Sequence, residues 1–575
     1  MFKGIRSILK LLMKYRWRVV SGICCLLLVD AAQLVIPLVI KHVVDGVASY
    51  SVTLAWIGKQ SLILLAIALT IAGSRFLWRY FLFSASRLAE RDLRGRVFEH
   101  ALTLSVREYM TTRTGDVMAL AINDVESVRQ AMAMGFLAAI DATIYPLVAL
   151  TAMFLLDPVL TAFIIIPLPL LAAAMGLSLK AVYSRWDAVQ ASFQDMTEKA
   201  RESLSGMRLL KAYVQHQGDS IHFDRHSEDY YRKFMRYTGV DALFHPLILL
   251  MAGSCIAILL GVGGVRVIEG QTSVGTFVAL ATYLGMLTWP MIAGGWMLTL
   301  LQRAAASMDR INVFLGKPPQ TTVRASRERI TSGRVEFRDL TFRYPAVSIN
   351  ALEDISFQIP PGGSLGIVGE IGSGKSTIAQ VLCRIFEPGP GEVFLDGRDV
   401  LDMDLEDLRA AVAYVPQEAF LFSDTVEENL RIGNPEASRR DIEQAASVAA
   451  LHEEILSFPK GYDTLLGERG ITLSGGQKQR LCLARALLKE APVLLLDDTL
   501  SAVDAGVEQQ ILDNLRNEIR KRSTLIISHR VSAVKHLDHI LVLEDGRVIQ
   551  QGRHEELVAQ EGFYRDLVEL QELEQ

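Results

Sequence analysis

The chain has 575 residues, half of them apolar and 21% charged, with 59 Lys+Arg against 64 Asp+Glu for a net charge of −5. So much apolar content excludes a disordered or collagen-like chain, and so balanced a charge argues against a nucleic-acid binder with a large basic face. Five scattered cysteines, Cys24, Cys25, Cys255, Cys383 and Cys482, give neither a disulfide framework nor a zinc-ligand spacing.

The first part of the chain contains apolar runs too long for a soluble core. Val159–Leu179 is 21 residues without a charge, Ala242–Val265 is 24 and Gly270–Gln302 is 33. About 20 apolar residues suffice to cross a hydrocarbon layer about 30 Å thick. Val19–Ile40, broken by Asp30, Ser61–Phe83, broken by Arg75 and Arg79, and Gln130–Leu156, broken by Asp141, make weaker candidates. The expectation is a transmembrane domain over 1–315 with six spanning helices, the first being a true span rather than a signal peptide, since no small-residue cleavage site follows it.

Basic residues alternate between the connections. Lys3, Arg6, Lys10, Lys14, Arg16 and Arg18 precede the first span; Arg87, Arg91, Arg94, Arg96, Arg107, Arg113 and Arg129 lie between the second and third; ten more lie from Lys180 to Arg236. The other connections carry few, among them Lys59 and Arg266, with none beside Asp157-Pro158. The positive-inside rule then places both termini in the cytoplasm. The two long cytoplasmic connections show helical spacing at Arg87–Arg94 and Glu198–Lys211, so the spanning helices are expected to continue well beyond the membrane. Their charges read mainly as a solvated face. Asp30, Arg75, Arg79 and Asp141 are costly in hydrocarbon and are expected to face the bundle interior or water. Tyr283, Trp289 and Trp296 are candidates for lining an amphipathic cavity, or for interfacial anchoring.

Residues 316–332, opening on Gly316-Lys317-Pro318-Pro319, read as a linker. From 333 to 575 short β-rich runs alternate with helical ones. The runs at 363–369, 491–497 and 524–528 have the continuous apolar character of buried parallel strands, giving a soluble α/β domain.

Gly369-Glu370-Ile371-Gly372-Ser373-Gly374-Lys375-Ser376-Thr377 fits the phosphate-loop pattern G-x-x-x-x-G-K-[ST] between a strand and a helix. Its glycines let backbone N–H groups curl around a phosphate, and the helix N-terminus favours the anion. Lys375 is placed to reach the β- and γ-phosphates, the Ser376 hydroxyl to ligate Mg²⁺, and Asp497, ending an apolar strand, to hold Mg²⁺ as well.

The remaining motifs specify the kind of nucleotide hydrolase. With Leu473-Ser474-Gly475-Gly476-Gln477 ahead of Asp497, the chain resembles the ATP-binding cassette transporters. The resemblance assigns Tyr344 to adenine stacking, Gln417 to contact with Mg²⁺ and the membrane half, Asp504 in Ser501–Asp504 to the D-loop, and His529 to the switch. It assigns Gly467-Glu468-Arg469-Gly470 to the contact loop of the exporter branch. It implies a membrane half followed by an ATP-binding cassette, and two nucleotide domains sandwiching two ATP molecules. Each ATP lies between one chain's phosphate loop and the other chain's signature, here Ser474–Gln477. One chain carries one of each, so a second half-transporter is implied. Gly115-Asp116 and Arg208–Asp219 stand where the family's coupling contacts fall.

One departure matters. Where hydrolytic members carry Glu after the strand aspartate, this chain has Asp498, which pulls the carboxylate back by about 1.5 Å. A misplacement near 1 Å costs on the order of 10²-fold in rate. Two readings follow. In the first, the chain is one half of a heterodimer whose own ATP site hydrolyses slowly, while its signature completes the partner's site. In the second, a homodimer works with Asp498, aided by His529. The expected function is ATP-driven export of lipophilic or amphipathic compounds, drugs or lipids, across a bacterial inner membrane. An importer or ATP-gated channel on the same scaffold is the alternative.

Overall fold

The structure is a computed structural model that describes residues 2–50, 52–320, 330–345, 347–467, 470 and 473–573. Side chains at 168, 170–181 and 295–296, among others inside helices, lie outside that description. So do Glu468 and Arg469 of the expected contact loop and residues 321–329 of the expected linker. Contacts divide the chain into two compact units, one of residues 1–102 with 114–317, the other of 103–113 with 318–575.

The first unit is helical. Among the described residues four helices are long and apolar enough to cross a membrane: Arg16–Ala48, Leu54–Thr103, Thr114–Leu156 and Leu249–Ile268. Leu54–Thr103 runs for 50 residues, about 75 Å at 1.5 Å per residue, well over twice a hydrocarbon core. The run expected at 270–302 is divided into Val274–Met286 and Thr288–Leu315. Pro290 explains the break: it has no N–H for the Met286 carbonyl four residues back, and its ring crowds that carbonyl. The same argument divides 159–179, where Pro158–Ile165 stops four residues before Pro169 and Pro167–Ser205 follows.

Some charges expected on a solvated face are internal instead. Glu90 is buried and meets Arg87 at 2.9 Å, Arg94 at 2.7 Å and Arg129 at 3.8 Å. Asp124 accepts from Ser307 at 2.8 Å and from Arg310 at 3.0 Å. Asp30 is buried, whereas Arg75 and Arg79 are exposed. Trp289 is exposed and its indole N–H donates to Asp141 at 3.0 Å. Tyr283 does not line an open cavity: it is fully buried and its hydroxyl donates to the Leu34 carbonyl at 2.6 Å. The side chain of Trp296 lies outside the described residues.

The second unit is built on two sheets. β1 (Val335–Phe342), β2 (Leu352–Ile359), β4 (Val393–Leu395) and β5 (Arg398–Asp399) form an antiparallel sheet in the order β2-β1-β4-β5. β3 (Ser364–Gly369), β6 (Val412–Val415), β7 (Val493–Asp497), β8 (Ser523–Ile527), β9 (His539–Glu544) and β10 (Arg547–Gly552) form the other, in the order β10-β9-β3-β8-β7-β6. Its five strands β9-β3-β8-β7-β6 are parallel, with β10 antiparallel at one edge. Alternation along each strand feeds two cores. Val493 and Leu495 pack with Leu525 and Ile527 on one face, Leu494 and Leu496 with Ile526 on the other. Each such side chain contributes about 1.5–3 kcal/mol by leaving water. Burial on both faces is why these strands read as continuous apolar runs rather than alternating ones.

Candidate functional site

The parallel strands set the site, because groups following their C-terminal ends gather along one edge of the sheet. β3 ends at Gly369 and opens the phosphate loop; β7 ends at Asp497 and presents Asp498; β8 leads to Ser528 and His529; β6 leads to Gln417. Gln417 is exposed there.

The phosphate loop needs glycine for a steric reason. At Gly374 φ is +94°, and a Cβ would sit 2.4 Å from the Ala351 carbonyl oxygen; at Gly369 one would sit 2.1 Å from that of Leu543. The helix Lys375–Leu382 starts directly after this turn, so its first N–H groups point into the loop. Lys375 is buried, with Nζ donating to the carbonyls of Gly369 at 2.9 Å and Glu370 at 2.6 Å and to Ser373 Oγ at 3.4 Å. Burial lowers its pKa, opposed by the nearby carboxylates of Asp498, Asp497 and Glu370.

Ser376 Oγ donates to Asp497 Oδ1 at 2.9 Å, bringing together a hydroxyl and a carboxylate from elements 121 residues apart. Tyr414 on β6 donates to the other Asp497 oxygen at 3.4 Å. Sequence reasoning missed Tyr414; a lone tyrosine three residues before Gln417 carries no local signal. Burial raises the Asp497 pKa, with the two hydroxyl donors opposing, and pushes the Tyr414 hydroxyl well up. Asp498 is 9% exposed, has φ +47° and donates its N–H to the Ile527 carbonyl at 2.8 Å. His529 is half-buried; burial and then Lys375 lower its pKa, so it is neutral at pH 7.

Tyr344 is held edge-on by Phe342 and Phe386, each 5.1 Å between ring centres, and its hydroxyl meets Thr377 at 2.9 Å and Gln380 at 3.0 Å on the phosphate-loop helix. The aromatic is thereby fixed beside the loop it is expected to serve.

Ser474 caps the helix Gly475–Leu487. Its Oγ accepts from the Gln477 N–H at 3.2 Å, while Gln477 Oε1 accepts from the Ser474 N–H at 2.9 Å. This capping box fixes an exposed helix start at Ser474-Gly475, a geometry suited to a phosphate. Glu454, absent from the sequence reading, accepts from Gln477 Nε2 at 2.9 Å and Arg480 at 2.7 Å and steadies that helix start. Asp504 is exposed and precedes the helix Ala505–Ile519. The first unit's Gly115-Asp116 and Arg208–Asp219 are largely helical.

Comparison with known proteins decides the family. Residues 19–291 match the model described as the ABC transporter transmembrane region, and residues 352–501 the one described as ABC transporter. The whole chain is 35% identical to the probable multidrug resistance ABC transporter ATP-binding/permease protein YheI of Bacillus subtilis, covering 98% of it. The chain belongs to the ABC transporters. It is also 37% identical to the multidrug resistance-like ATP-binding protein MdlA of Escherichia coli, over 97% of this chain and 95% of that one. Identity to the ATP-dependent lipid A-core flippase of Nitrosococcus oceani is 32%, over 98% and 95%. Among solved structures, a bacterial Atm1-family ABC exporter with ATP bound superposes with a TM-score of 0.78 at 27% identity, covering 97% of this chain and 98% of that one. This ABC transporter therefore has the exporter fold, an N-terminal helical transmembrane domain followed by a soluble nucleotide-binding domain, and couples ATP hydrolysis to transport across a membrane.

Proposed function

We propose that this ABC transporter exports lipophilic or amphipathic compounds, drugs or lipids, from the cytoplasm as one half of a heterodimer. Six spanning helices and cytoplasmic termini complete this reading, on the strength of the apolar runs and the alternation of basic residues. The compound class is supported by the multidrug and lipid A relatives.

ATP binding is assigned to Gly369, Gly372, Ser373, Gly374, Lys375, Ser376 and Thr377, with Tyr344 at the base, and to Ser474–Gln477 and Asp504 across the dimer. The donor set fits Mg²⁺: a serine hydroxyl and a carboxylate 2.9 Å apart, with Gln417 leading from the neighbouring strand. Mg²⁺ there would neutralise charge on the phosphates, a hard cation on oxygen ligands. The chain's own residues do the rest. Lys375, already desolvated, exchanges its carbonyl acceptors for phosphate oxygens. His529, neutral, is able to accept or donate a hydrogen bond at the terminal phosphate.

Asp498 carries the heterodimer reading. It occupies the place of the water-orienting glutamate with a side chain one methylene shorter, so the carboxylate falls short by about 1.5 Å. Loss on that scale slows hydrolysis about 10²-fold and leaves the phosphate loop intact. The test is the ATPase rate of the purified chain alone, then co-purified with the half-transporter encoded beside it. Activity is expected only with the neighbour, abolished by changing the neighbour's glutamate and not by Asp498→Asn. A chain active alone and silenced by Asp498→Asn is a homodimer working with Asp498.

A further inference from the structure

We propose that Gln479 is a positioning residue that locks the signature helix to Asp498 and the D-loop of the same chain, so that parts serving two different ATP sites move as one body. The inference rests on the dimeric reading above, in which Ser474–Gln477 faces the partner's nucleotide and Asp498 faces this chain's own.

Gln479 lies one turn into the helix Gly475–Leu487 and is 8% exposed. All of its amide is spent on one turn of chain. Oε1 accepts from the Ala502 N–H at 3.0 Å, and Nε2 donates to Ser501 Oγ at 3.1 Å and to the Asp498 carbonyl at 3.4 Å. Ser501 Oγ donates to the same Asp498 carbonyl at 3.0 Å. Only a side chain with both a donor and an acceptor at one tip makes this set; glutamate has no donor and leucine has neither.

The contact is close-packed as well as hydrogen-bonded. A Cβ on Gly476, within the signature, would come 2.7 Å from the Ala502 carbonyl oxygen. Arg530, the neighbour of His529, donates to the carbonyls of Ser501 at 3.1 Å and Val503 at 3.2 Å and pairs with buried Glu508. The turn between Asp498 and Asp504 is thus held both by the signature helix and by the switch segment. Displacing the signature helix by a bond's length breaks the Gln479 set or drags the Asp498 backbone with it. Buried bonds of this kind are expensive to leave unmade, so the rigid-body motion is favoured.

The test is a double-mutant cycle of Gln479→Leu with Asp498→Glu in the full chain, co-purified with its neighbouring half-transporter and reconstituted in lipid. The readouts are ATPase kcat and KM, together with the Kd for a fluorescent ATP analogue. Asp498→Glu alone is expected to add hydrolysis at this chain's own site. With Gln479→Leu the gain should fall at least about threefold while Kd changes less than about twofold, the non-additivity expected of coupled residues. A gain preserved in full, or a Kd that weakens in step with kcat, makes Gln479 merely structural and overturns the proposal. If Asp498→Glu adds nothing, the slow-site reading fails on its own. Gln479 is then judged by Gln479→Leu alone: kcat reduced about tenfold at constant KM supports positioning, and equal changes in both overturn it. Should Gln479→Leu fail to assemble, the isosteric Gln479→Glu, which keeps the Ala502 acceptor and loses the donor, replaces it with the same outcomes.

Discussion

Asp497 shows how a candidate site residue opposes the fold that carries it. The residue is 1% exposed, and among the described residues its carboxylate accepts from two neutral donors, Ser376 and Tyr414. Burial raises its pKa, which means that folding disfavours the ionised form and that this contribution to stability improves as pH falls towards the carboxylate range. A neutral isostere relieves that cost. Asp497→Asn is expected to raise the thermal midpoint measured without nucleotide at pH 7 by a few degrees, the scale of about 1 kcal/mol in a domain of this size, while hydrolysis is lost. A midpoint that falls instead would show that Ser376 and Tyr414 need the full charge. The same residues mark what the sequence discloses at this scale. The phosphate loop, Asp497, the signature and His529 are legible because each is a short contiguous run whose residue types follow from phosphate chemistry or the family pattern. Tyr414, Glu454, Gln479 and Arg530 are not, since each acts through bonds to segments outside its own stretch of chain, and its residue type alone is compatible with any exposed helix or strand. The left-handed backbone of Asp498 was equally silent, although aspartate is among the few side chains enriched there.

At the scale of elements, hydropathy discloses where apolar helices lie but not where they break: Pro290 and Pro169 mark breaks, whereas Pro37 and Pro146 sit inside the unbroken helices Arg16–Ala48 and Phe136–Leu156. The run at 270–302 carries no charge, so nothing in its composition separates Val274–Met286 from Thr288–Leu315; the separation comes from one missing N–H at Pro290. The start of Val274–Met286 depends on a residue 230 positions away. Asp45 Oδ1 accepts from the Gly275 N–H at 2.7 Å and Oδ2 from Ser273 Oγ at 3.0 Å, while Ser273 itself caps the helix through Thr276 N–H at 3.1 Å. A carboxylate at a helix N-terminus satisfies otherwise orphaned donors and meets the positive end of the helix dipole. Gly275 is required because a Cβ would approach the Lys41 carbonyl to 2.3 Å. Asp45→Ala is expected to cost about 1–2 kcal/mol, seen as faster hydrogen exchange confined to residues 273–280. Unchanged exchange there would show that Ser273 alone suffices as a cap. The parallel strands were legible for the opposite reason: β3, β7 and β8 are buried on both faces, so an unbroken apolar run is itself the signal.

For the whole molecule the decisive quantity is which side of the membrane each connection occupies, because a nucleotide domain works only where ATP is. Basic residues are dense before the first span and in the two long connections, and sparse at Lys41, Lys59 and Arg266. A Lys or Arg at the centre of a spanning helix costs about 2.5–3.5 kcal/mol on insertion scales, and under the positive-inside rule the connections bearing seven or ten of them are the ones expected to stay in the cytoplasm. Two exposed positions read the outcome directly. Tyr50, 97% exposed, lies between the helices Arg16–Ala48 and Leu54–Thr103, and Tyr213, 70% exposed, lies between the helices Met207–Ala212 and His216–Asp241. With the five native cysteines replaced, Tyr50→Cys is expected to react with a membrane-impermeant maleimide in intact cells, and Tyr213→Cys only after the cells are opened. The reverse pattern would place the ATP-binding cassette outside and sink the export reading with it. Labelling of both in intact cells would mean that the chain does not cross the membrane as its charges direct. The assay asks nothing of substrate or partner, so it separates the topology of the single chain from the function of the assembled transporter.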